Sequence, residues 1–325
     1  MLTLCLITKN IKESLIEVEK IMLTNINNII IINYGDIAND IMPPKNIKIY
    51  NMALNNNFSS LWNRAFSEVS SKYVMWLFEN EIVTDSLTNF LSSDTLLTLL
   101  NKSVDVVTFN ISSYYDNKNT NNNDEVRIMK MALCPHWKGR VNPRIHIDEC
   151  NTLEKSNCEI FYTSSKSDDS EMIYNIFNSM YDDGEVFSKK DIIDYGYILM
   201  KKHEYDRALT VYEKLISAND STSPDAFQYE KHLAIFNSSW ILFNIKNRKQ
   251  DAKKLLSLGM AMTQVPEPHY CVLMGDMYND IAAQEWAKKW YEMALSCAQF
   301  NNAKTLEYID YEYIALYPIS KLKKY

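Results

Sequence analysis

Glycine is scarce in this sequence, with six residues among 325. Loops that cradle phosphate groups need glycines at close spacing, and neither GxGxxG nor GxxxxGK occurs in the chain. The six cysteines form no CxxC pair, and GxSxG and HExxH are missing too. These gaps exclude dinucleotide-binding and P-loop sites, thiol-redox and zinc sites of the CxxC type, and the common hydrolase motifs. Cysteines without such spacing favour reduced thiols in a cytoplasmic protein.

Long apolar runs and an excess of positive charge are absent as well. No run reaches the length that crosses a bilayer, and the N-terminus lacks the basic start and cleavage site of a signal peptide. We therefore expect no transmembrane segment and a cytoplasmic location. The net charge is −7, and Lys and Arg cluster only in the final KLKKY. Because nucleic acid binds to concentrated positive faces, it is excluded as a partner.

The first half of the chain alternates buried-strand and helical patterns. Strands are predicted at LTLCLIT (2–8), NIIIINYGD (28–36), NIKIYNM (46–52), YVMWLF (73–78) and VDVVTFNISSYY (104–115), and helices over 10–25 and 58–71, the second capped by Ser59 or Ser60. The polar stretch DNKNTNNND (116–124) is predicted to be a mobile loop. This order indicates an α/β domain with a mainly parallel sheet. Ligands of such sheets bind beyond the carboxyl ends of the strands.

The second half has helical periodicity only. Gly196 and Gly275 each precede an alanine by twelve residues and a tyrosine by sixteen, and Trp240 precedes Ala252 by twelve. This spacing resembles the tetratricopeptide pattern of about 34 residues per repeat. We predict an α/β domain over 1–181 and an all-α tetratricopeptide-like domain over 182–325. Such repeats could bind a peptide or protein partner, form a homo-oligomer, or brace the first domain.

Several segments in the right order resemble family 2 inverting glycosyltransferases with the GT-A fold. These segments are LTLCLITKNIKESL, NNIIIINYGD, NNNFSSLWNRAFSEVSSKYVMWLFENEIV and KGRVNPRIHI, followed by the helical repeats. The bacterial branch that carries such repeats, including the sublancin-type enzymes that glycosylate peptides, is the most similar. The resemblance implies that the domain over 1–181 binds a nucleotide-sugar donor, a UDP-sugar. It also implies a peptide or protein acceptor.

The same resemblance implies a donor site that has lost several acids. Lys9 and Asn10 match the opening motif, but Ile11 and Lys12 replace its acids, and Asn33 stands where the family has an aspartate. The donor-binding residues carried over are Thr8, Asn10, Asn33, Gly35, Asp36, Asn63 and Arg144. An asparagine can still hydrogen-bond a ribose or a base, without the charge that strengthens the bond.

The metal motif of the family, Asp-x-Asp, is replaced here by Phe78-Glu79-Asn80. Glu79 and Glu81 have the same i, i+2 spacing and would lie on one face of an extended segment. A site shifted by one residue could hold Mn²⁺ or Mg²⁺ through these two carboxylates. The alternative is that both glutamates are solvated loop residues.

A catalytic base is expected near PRIHID. Arg144 and His146 match the family pattern, while Ile147 replaces its acid and Asp148 follows. His146 or Asp148 would accept the acceptor's proton. His146 could instead be a structural histidine, and His136, His203, His232 and His269 have no metal-ligand spacing.

Two functions fit the sequence. The first is an active glycosyltransferase that acts on a peptide or protein. The second is a catalytically inactive glycosyltransferase-like binding module or partner subunit, because four departures from the family pattern each remove a carboxylate from beyond the strand ends. These departures are Ile11-Lys12, Asn33, Phe78 with Asn80, and Ile147.

Overall fold

A computed structural model of the chain describes nine stretches: residues 1–36, 42–115, 118–119, 123–147, 149–162, 170–218, 228–262, 266–298 and 312–325. Asp148 lies outside them. The chain divides into two compact units, Met1–Asp169 and Ser170–Tyr325. The sequence places this division at residue 182 instead. The difference is one helix, Ser170–Asp182, whose Phe177 ring stacks on Tyr195 at 5.2 Å between centroids, so that it packs with the helices that follow.

The first unit alternates strands and helices. Its strands are β1 Leu2–Thr8, β2 Ile26–Asn33, β3 Ile47–Asn51, β4 Tyr73–Leu77, β5 Glu81–Ile82, β6 Val106–Tyr115, β7 Lys118–Asn119, β8 Asn123–Lys130, β9 His136–Lys138, β10 Arg144–His146 and β11 Leu153–Tyr162. Its helices are α1 Ile11–Glu19, α2 Phe58–Ser67, α3 Asp85–Ser92 and α4 Asp94–Asn101, with a 3₁₀ turn at Met131–Leu133. The five strands predicted in this half are all present.

The strands form one large mixed sheet in the order β3-β2-β1-β4-β8-β6-β11-β5, with β7 on β6, and β9 and β10 pair separately. The pairs β2–β3, β1–β2, β1–β4 and β6–β11 are parallel, and β8 runs antiparallel to β4 and β6. The predicted α/β class is therefore confirmed, but the sheet is mixed and not mainly parallel, since β5 and β7 are also antiparallel to their partners. A mixed sheet covered by helices fits the GT-A-like domain that the resemblance implies. The predicted loop over 116–124 is wrong in part, because residues 118–119 and 123–124 belong to strands.

Both faces of the sheet are buried, as its apolar strands predict. All seven residues of β1 are buried. Leu4 and Leu6 face a core shared with α1, α3 and α4, whereas Cys5 and Ile7 face a second core with α2. This alternation follows from the period of two in a strand. Burial on both sides fixes the register of β1 and so the position of its carboxyl end.

The N-cap of α2 is Asn57, not the predicted Ser59 or Ser60. The Asn57 side chain accepts a hydrogen bond from the Ser60 amide at 3.3 Å. Asparagine is at least as good a cap as serine, so the cap lies two or three residues earlier than predicted. Ser59 is not the cap, and its hydroxyl donates to the carbonyl of Gly139, next to β9.

The second unit is helical throughout its described residues. Its helices are α5 Ser170–Asp182, α6 Lys189–Lys201, α7 Tyr205–Ile216, α8 Gln228–Trp240, α9 Lys249–Ala261, α10 Pro268–Asp280, α11 Gln284–Ala298 and α12 Tyr317–Leu322, with π-helical turns at Ile241–Ile245 and Glu312–Leu316. The all-α class is therefore confirmed. The tetratricopeptide identity stays a prediction.

Two hairpins pack as the glycine spacing predicts. A Cβ atom at Gly196 would lie 2.3 Å from the Tyr212 ring, and one at Gly275 would lie 2.5 Å from the Tyr291 ring. Both tyrosines are fully buried. Each glycine therefore allows the ring of the next helix to lie directly against its backbone. Among the described residues, no helix is both long enough and apolar enough to cross a membrane.

Candidate functional site

The topology places a candidate site at the carboxyl ends of β1 and β4. The chain runs from β1 to β2 and β3 on one side, and then returns to pair β4 with the other side of β1. Ligands of open parallel sheets bind at such a reversal of strand order. The residues that follow these strand ends are Lys9–Asn10 after β1 and Phe78–Glu79 after β4.

Glu79 connects these two strand ends. A single carboxylate oxygen, Oε1, accepts hydrogen bonds from the Thr8 hydroxyl at 2.6 Å and from the Lys9 and Asn10 amides at 2.9 Å each. Helix α1 begins at Ile11, so the carboxylate lies at a helix N-terminus, where negative charge is favourable. The structure thus brings together three predicted site residues, Thr8, Asn10 and Glu79. These residues contact one another through the hydrogen bonds that Glu79 accepts.

Glu81 has a different set of partners. Its Oε1 atom lies 2.5 Å from Nη2 of Arg127, and its Oε2 atom accepts the Phe78 amide at 2.9 Å. Glu81 is 7% exposed and Arg127 is 3% exposed. Burial raises the pKa of Glu81, and the Arg127 guanidinium and the Phe78 amide oppose that shift. Glu81 on β5 thus forms a buried ion pair with Arg127 on β8.

The two glutamates do not share one face of an extended segment, and that part of the prediction is wrong. The Glu81 amide donates to the Phe78 carbonyl at 3.0 Å, which closes a turn over residues 78–81. The turn directs Glu79 to β1 and Glu81 to β8. Within the described part of the chain, no group of three or more His, Cys, Asp and Glu side chains could hold a metal ion. The metal site stays a prediction that this geometry does not favour.

Asn33, at the end of β2, is satisfied entirely within the protein. Its Nδ2 atom donates to the Asp36 carbonyl at 2.9 Å and to Oδ1 of Asn51 at 2.8 Å, and its Oδ1 atom accepts the Gly35 amide at 3.2 Å. The residue is 1% exposed. A Cβ atom at Gly35 would lie 1.9 Å from the Lys9 carbonyl oxygen, so only glycine fits there. Asn33 therefore organises the turn after β2.

An aspartate at position 33, which family 2 glycosyltransferases have at the matching place, should destabilise the first unit. In an Asn33→Asp variant the carboxylate would face the Asp36 carbonyl and Oδ1 of Asn51, which are both acceptors. We expect a loss of about 2 kcal/mol in the free energy of unfolding, because buried groups lose their partners. Urea denaturation of the full chain measures the loss. Asn28→Asp is the matched control on the exposed side of the same strand and should change stability by under about 0.5 kcal/mol.

Asn63 fixes the β9–β10 hairpin to helix α2. Its Nδ2 atom donates to the Trp137 carbonyl at 2.9 Å, and its Oδ1 atom accepts the Trp137 amide at 2.7 Å. The Phe58 amide donates to the Arg140 carbonyl at 2.9 Å, which is a further link between the hairpin and the start of α2. Both the oxygen and the nitrogen of the Asn63 side chain are therefore hydrogen-bonded to β9. A nucleotide sugar that bonded to the Asn63 side chain would have to replace its hydrogen bonds with Trp137.

Phe78 belongs to an aromatic cluster beside the end of β4. The cluster contains Trp62, Phe66, Trp76, Phe78 and Trp137, with Trp62 stacked on Trp137 at 4.9 Å between centroids. Trp137 lies on β9, so the cluster positions the β9–β10 hairpin next to β4. The aromatic ring at the family's first aspartate position is therefore a structural part of this hairpin contact.

The hairpin presents the predicted base and cation to solvent. Arg144 and His146 are exposed on β10. His146 lies directly opposite His136 on β9, and the two rings stack at 5.7 Å between centroids. The His136 Nδ1 atom is 3.4 Å from the Cys134 carbonyl oxygen. Both exposed side chains can contact a ligand, and Asp148 is outside the described residues.

Three residues that organise this region are not predicted from the sequence: Arg127, Asn51 and Trp137. A charged residue amid the apolar alternation of EVRIMK is the signal that could have identified Arg127. Its partner could not be found in this way, since β8 lies beside β4 only through the order of the sheet. Asn51 follows an apolar strand and carries no comparable signal.

Comparison with known proteins gives distant matches only. No protein-family model matches the chain, and no curated protein matches it. Among solved structures, S. aureus TarS 1–349 is 9% identical, with 88% of this chain and 89% of that chain covered and a TM-score of 0.37. TarS 1–349 in complex with UDP is 10% identical, with 90% and 91% covered and a TM-score of 0.39.

Proposed function

We propose that the first unit is a glycosyltransferase-like domain that binds a nucleotide sugar, a UDP-sugar, at the carboxyl edge of its sheet. One observation carries the proposal. The β9–β10 hairpin packs beside the end of β4, next to the reversal of strand order, and its Arg144 and His146 are exposed. The proposed donor contacts are Asn10, Gly35, Asp36, Asn63 and Arg144, and the buried Thr8 and Asn33 would hold the strand ends behind them.

In this proposal Arg144 and His146 have separate roles. A nucleoside diphosphate leaves a sugar only when its developing negative charge is neutralised, and the exposed guanidinium of Arg144 would bind the diphosphate oxygens. The imidazole of His146 would accept the proton of the attacking group, with Asp148 as the alternative base. The stacked ring of His136 limits the orientations of His146. A peptide or protein acceptor would bind to the helices of the second unit.

A second candidate function is binding without turnover. It is favoured by the internal use of the polar groups at the strand ends. Asn33 and Asn63 have their amide groups bonded within the protein, and Glu79 and Glu81 are bonded to the turn after β1 and to Arg127. Under this alternative the chain recognises a partner as the non-catalytic half of an enzyme pair.

Isothermal calorimetry of the full chain with UDP tests the proposal. We expect saturable binding that Arg144→Ala weakens at least tenfold, equivalent to about 1.4 kcal/mol. Lys155→Ala, which removes an exposed cation from the same unit, should leave binding unchanged. No binding at millimolar UDP would overturn the proposed donor site. Release of UDP from a UDP-sugar, abolished by His146→Gln, would separate turnover from binding alone.

A further inference from the structure

The carboxylates that would hold a divalent cation are already neutralised or bonded by the protein. Oxygen Oε1 of Glu79 has three donors within 2.9 Å, and these are the groups that place the end of β1 and the start of α1. A cation bound to this oxygen would displace donors whose bonds connect β1 with β4. Oε1 of Glu79 is thus occupied by the turn between β1 and α1, which leaves Oε2 as the one oxygen of this carboxylate that could bind a cation without breaking those bonds.

Arg127 stands where the resemblance implies a metal. Its guanidinium carbon lies 5.2 Å from the centroid of Phe78, which takes the place of the first aspartate of the family motif. Its Nη2 atom pairs with Glu81, the acid after the second motif position, and its Nη1 atom lies 2.9 Å from Oε2 of Glu125. The Nε atom is buried and has no partner in the part of the chain that the structure describes. The cation at this strand end is thus a side chain of the protein.

We infer that Arg127 replaces the divalent cation in this chain, so that the end of β4 binds no metal and any nucleotide binds independently of metal. A divalent ion on Glu81 would share its carboxylate with a guanidinium of the same sign in a buried site. Arg127 itself is 3% exposed, so it acts by holding Glu81 and Phe78 and does not contact a ligand. The statement about nucleotides rests on the proposed function. The statement about metal does not.

Mn²⁺ titration of the full chain, followed by electron paramagnetic resonance, tests the metal statement without any nucleotide. We expect the wild type and Glu79→Ala to retain the same free Mn²⁺ signal up to millimolar concentration. Glu79 is exposed, and its replacement leaves the buried Arg127–Glu81 pair intact. Protein-bound Mn²⁺ in the wild type that disappears in Glu79→Ala would overturn the inference. His136→Gln is the control for binding by the exposed imidazoles.

UDP titrations in EDTA and in Mn²⁺ test the nucleotide statement. We expect the two dissociation constants to agree within twofold. A tightening of tenfold or more by Mn²⁺ that Glu79→Ala abolishes would overturn the inference. If UDP does not bind in either condition, the proposed function fails, and the Mn²⁺ titration alone decides the question of the metal.

Discussion

Replacing Arg127 with methionine should destabilise the first unit by about 3–5 kcal/mol, because it leaves the carboxylate of Glu81 buried without its cation. The Phe78 amide would be the remaining donor to Glu81 among the contacts described above. The loss should be largest in β8 and at the end of β4, because Glu81 pairs with Arg127 on β8 and accepts the amide of Phe78, which follows β4. Amide hydrogen exchange, resolved by peptide over residues 73–78 and 126–130, measures the opening free energy of these strands separately from the helical unit.

The double variant Arg127→Met, Glu81→Gln should recover most of that loss. A neutral amide has a much lower cost of burial than a carboxylate and can still accept the Phe78 amide. Lys155→Met is the matched control. It removes the cation of an exposed pair with Asp124, whose side chains are 57% and 40% exposed, and should cost under about 1 kcal/mol. Equal losses in Arg127→Met and Lys155→Met would contradict a buried pair.

The parts of the fold with strong local signals could be predicted from the sequence. Strand β1 has seven consecutive residues suited to burial, and the glycine–tyrosine spacing of the helical hairpins reports a close contact that the structure contains. Strand β8 is different. It follows a polar tract and pairs between β4 and β6, so its place depends on contacts distant in sequence.

Three predicted residues of the site, Thr8, Asn10 and Glu79, lie together, but their roles differ from those expected. The i, i+2 spacing of Glu79 and Glu81 predicts one shared face only if the backbone is extended, and a turn separates them. The spacing of an acidic pair does not reveal that turn. Likewise, no local signal shows that Asn33 has its partner in Asn51, since that contact forms only when β2 and β3 pair.

The second large effect is an acid-dependent loss of stability in the helical unit, caused by a buried histidine. His269 is 2% exposed, and neither ring nitrogen has a hydrogen-bond partner among the described residues. Its ring packs edge-on against Phe236 at 4.7 Å between centroids. Burial lowers the pKa of His269 to about 3, and the nearby His232 adds to this shift. Burial lowers the pKa of His232 as well.

The direction of the pH dependence follows from which state, folded or unfolded, binds the proton. Between the unfolded pKa of 6.5 and the folded value of about 3, the unfolded chain binds the proton at His269 and the folded chain does not. Stability therefore falls as the pH falls through this window, by about 1.4 kcal/mol per pH unit, or about 4 kcal/mol between pH 6.5 and 3.5. Burial raises the pKa of Glu267, two residues earlier, and that carboxyl acts in the opposite direction.

His269→Phe should remove this dependence, because phenylalanine keeps the packing against Phe236 and cannot bind a proton. Urea denaturation followed by circular dichroism at a series of pH values from 7.5 to 4 measures the stability of the helical unit. We expect the advantage of the variant over the wild type to grow steadily as the pH falls. His203→Asn, which replaces an exposed histidine in the same unit at a left-handed backbone position that asparagine tolerates, should follow the wild type. A difference between His269→Phe and wild type that stays constant with pH would mean that His269 is protonated in the folded helices, and that burial does not keep it neutral.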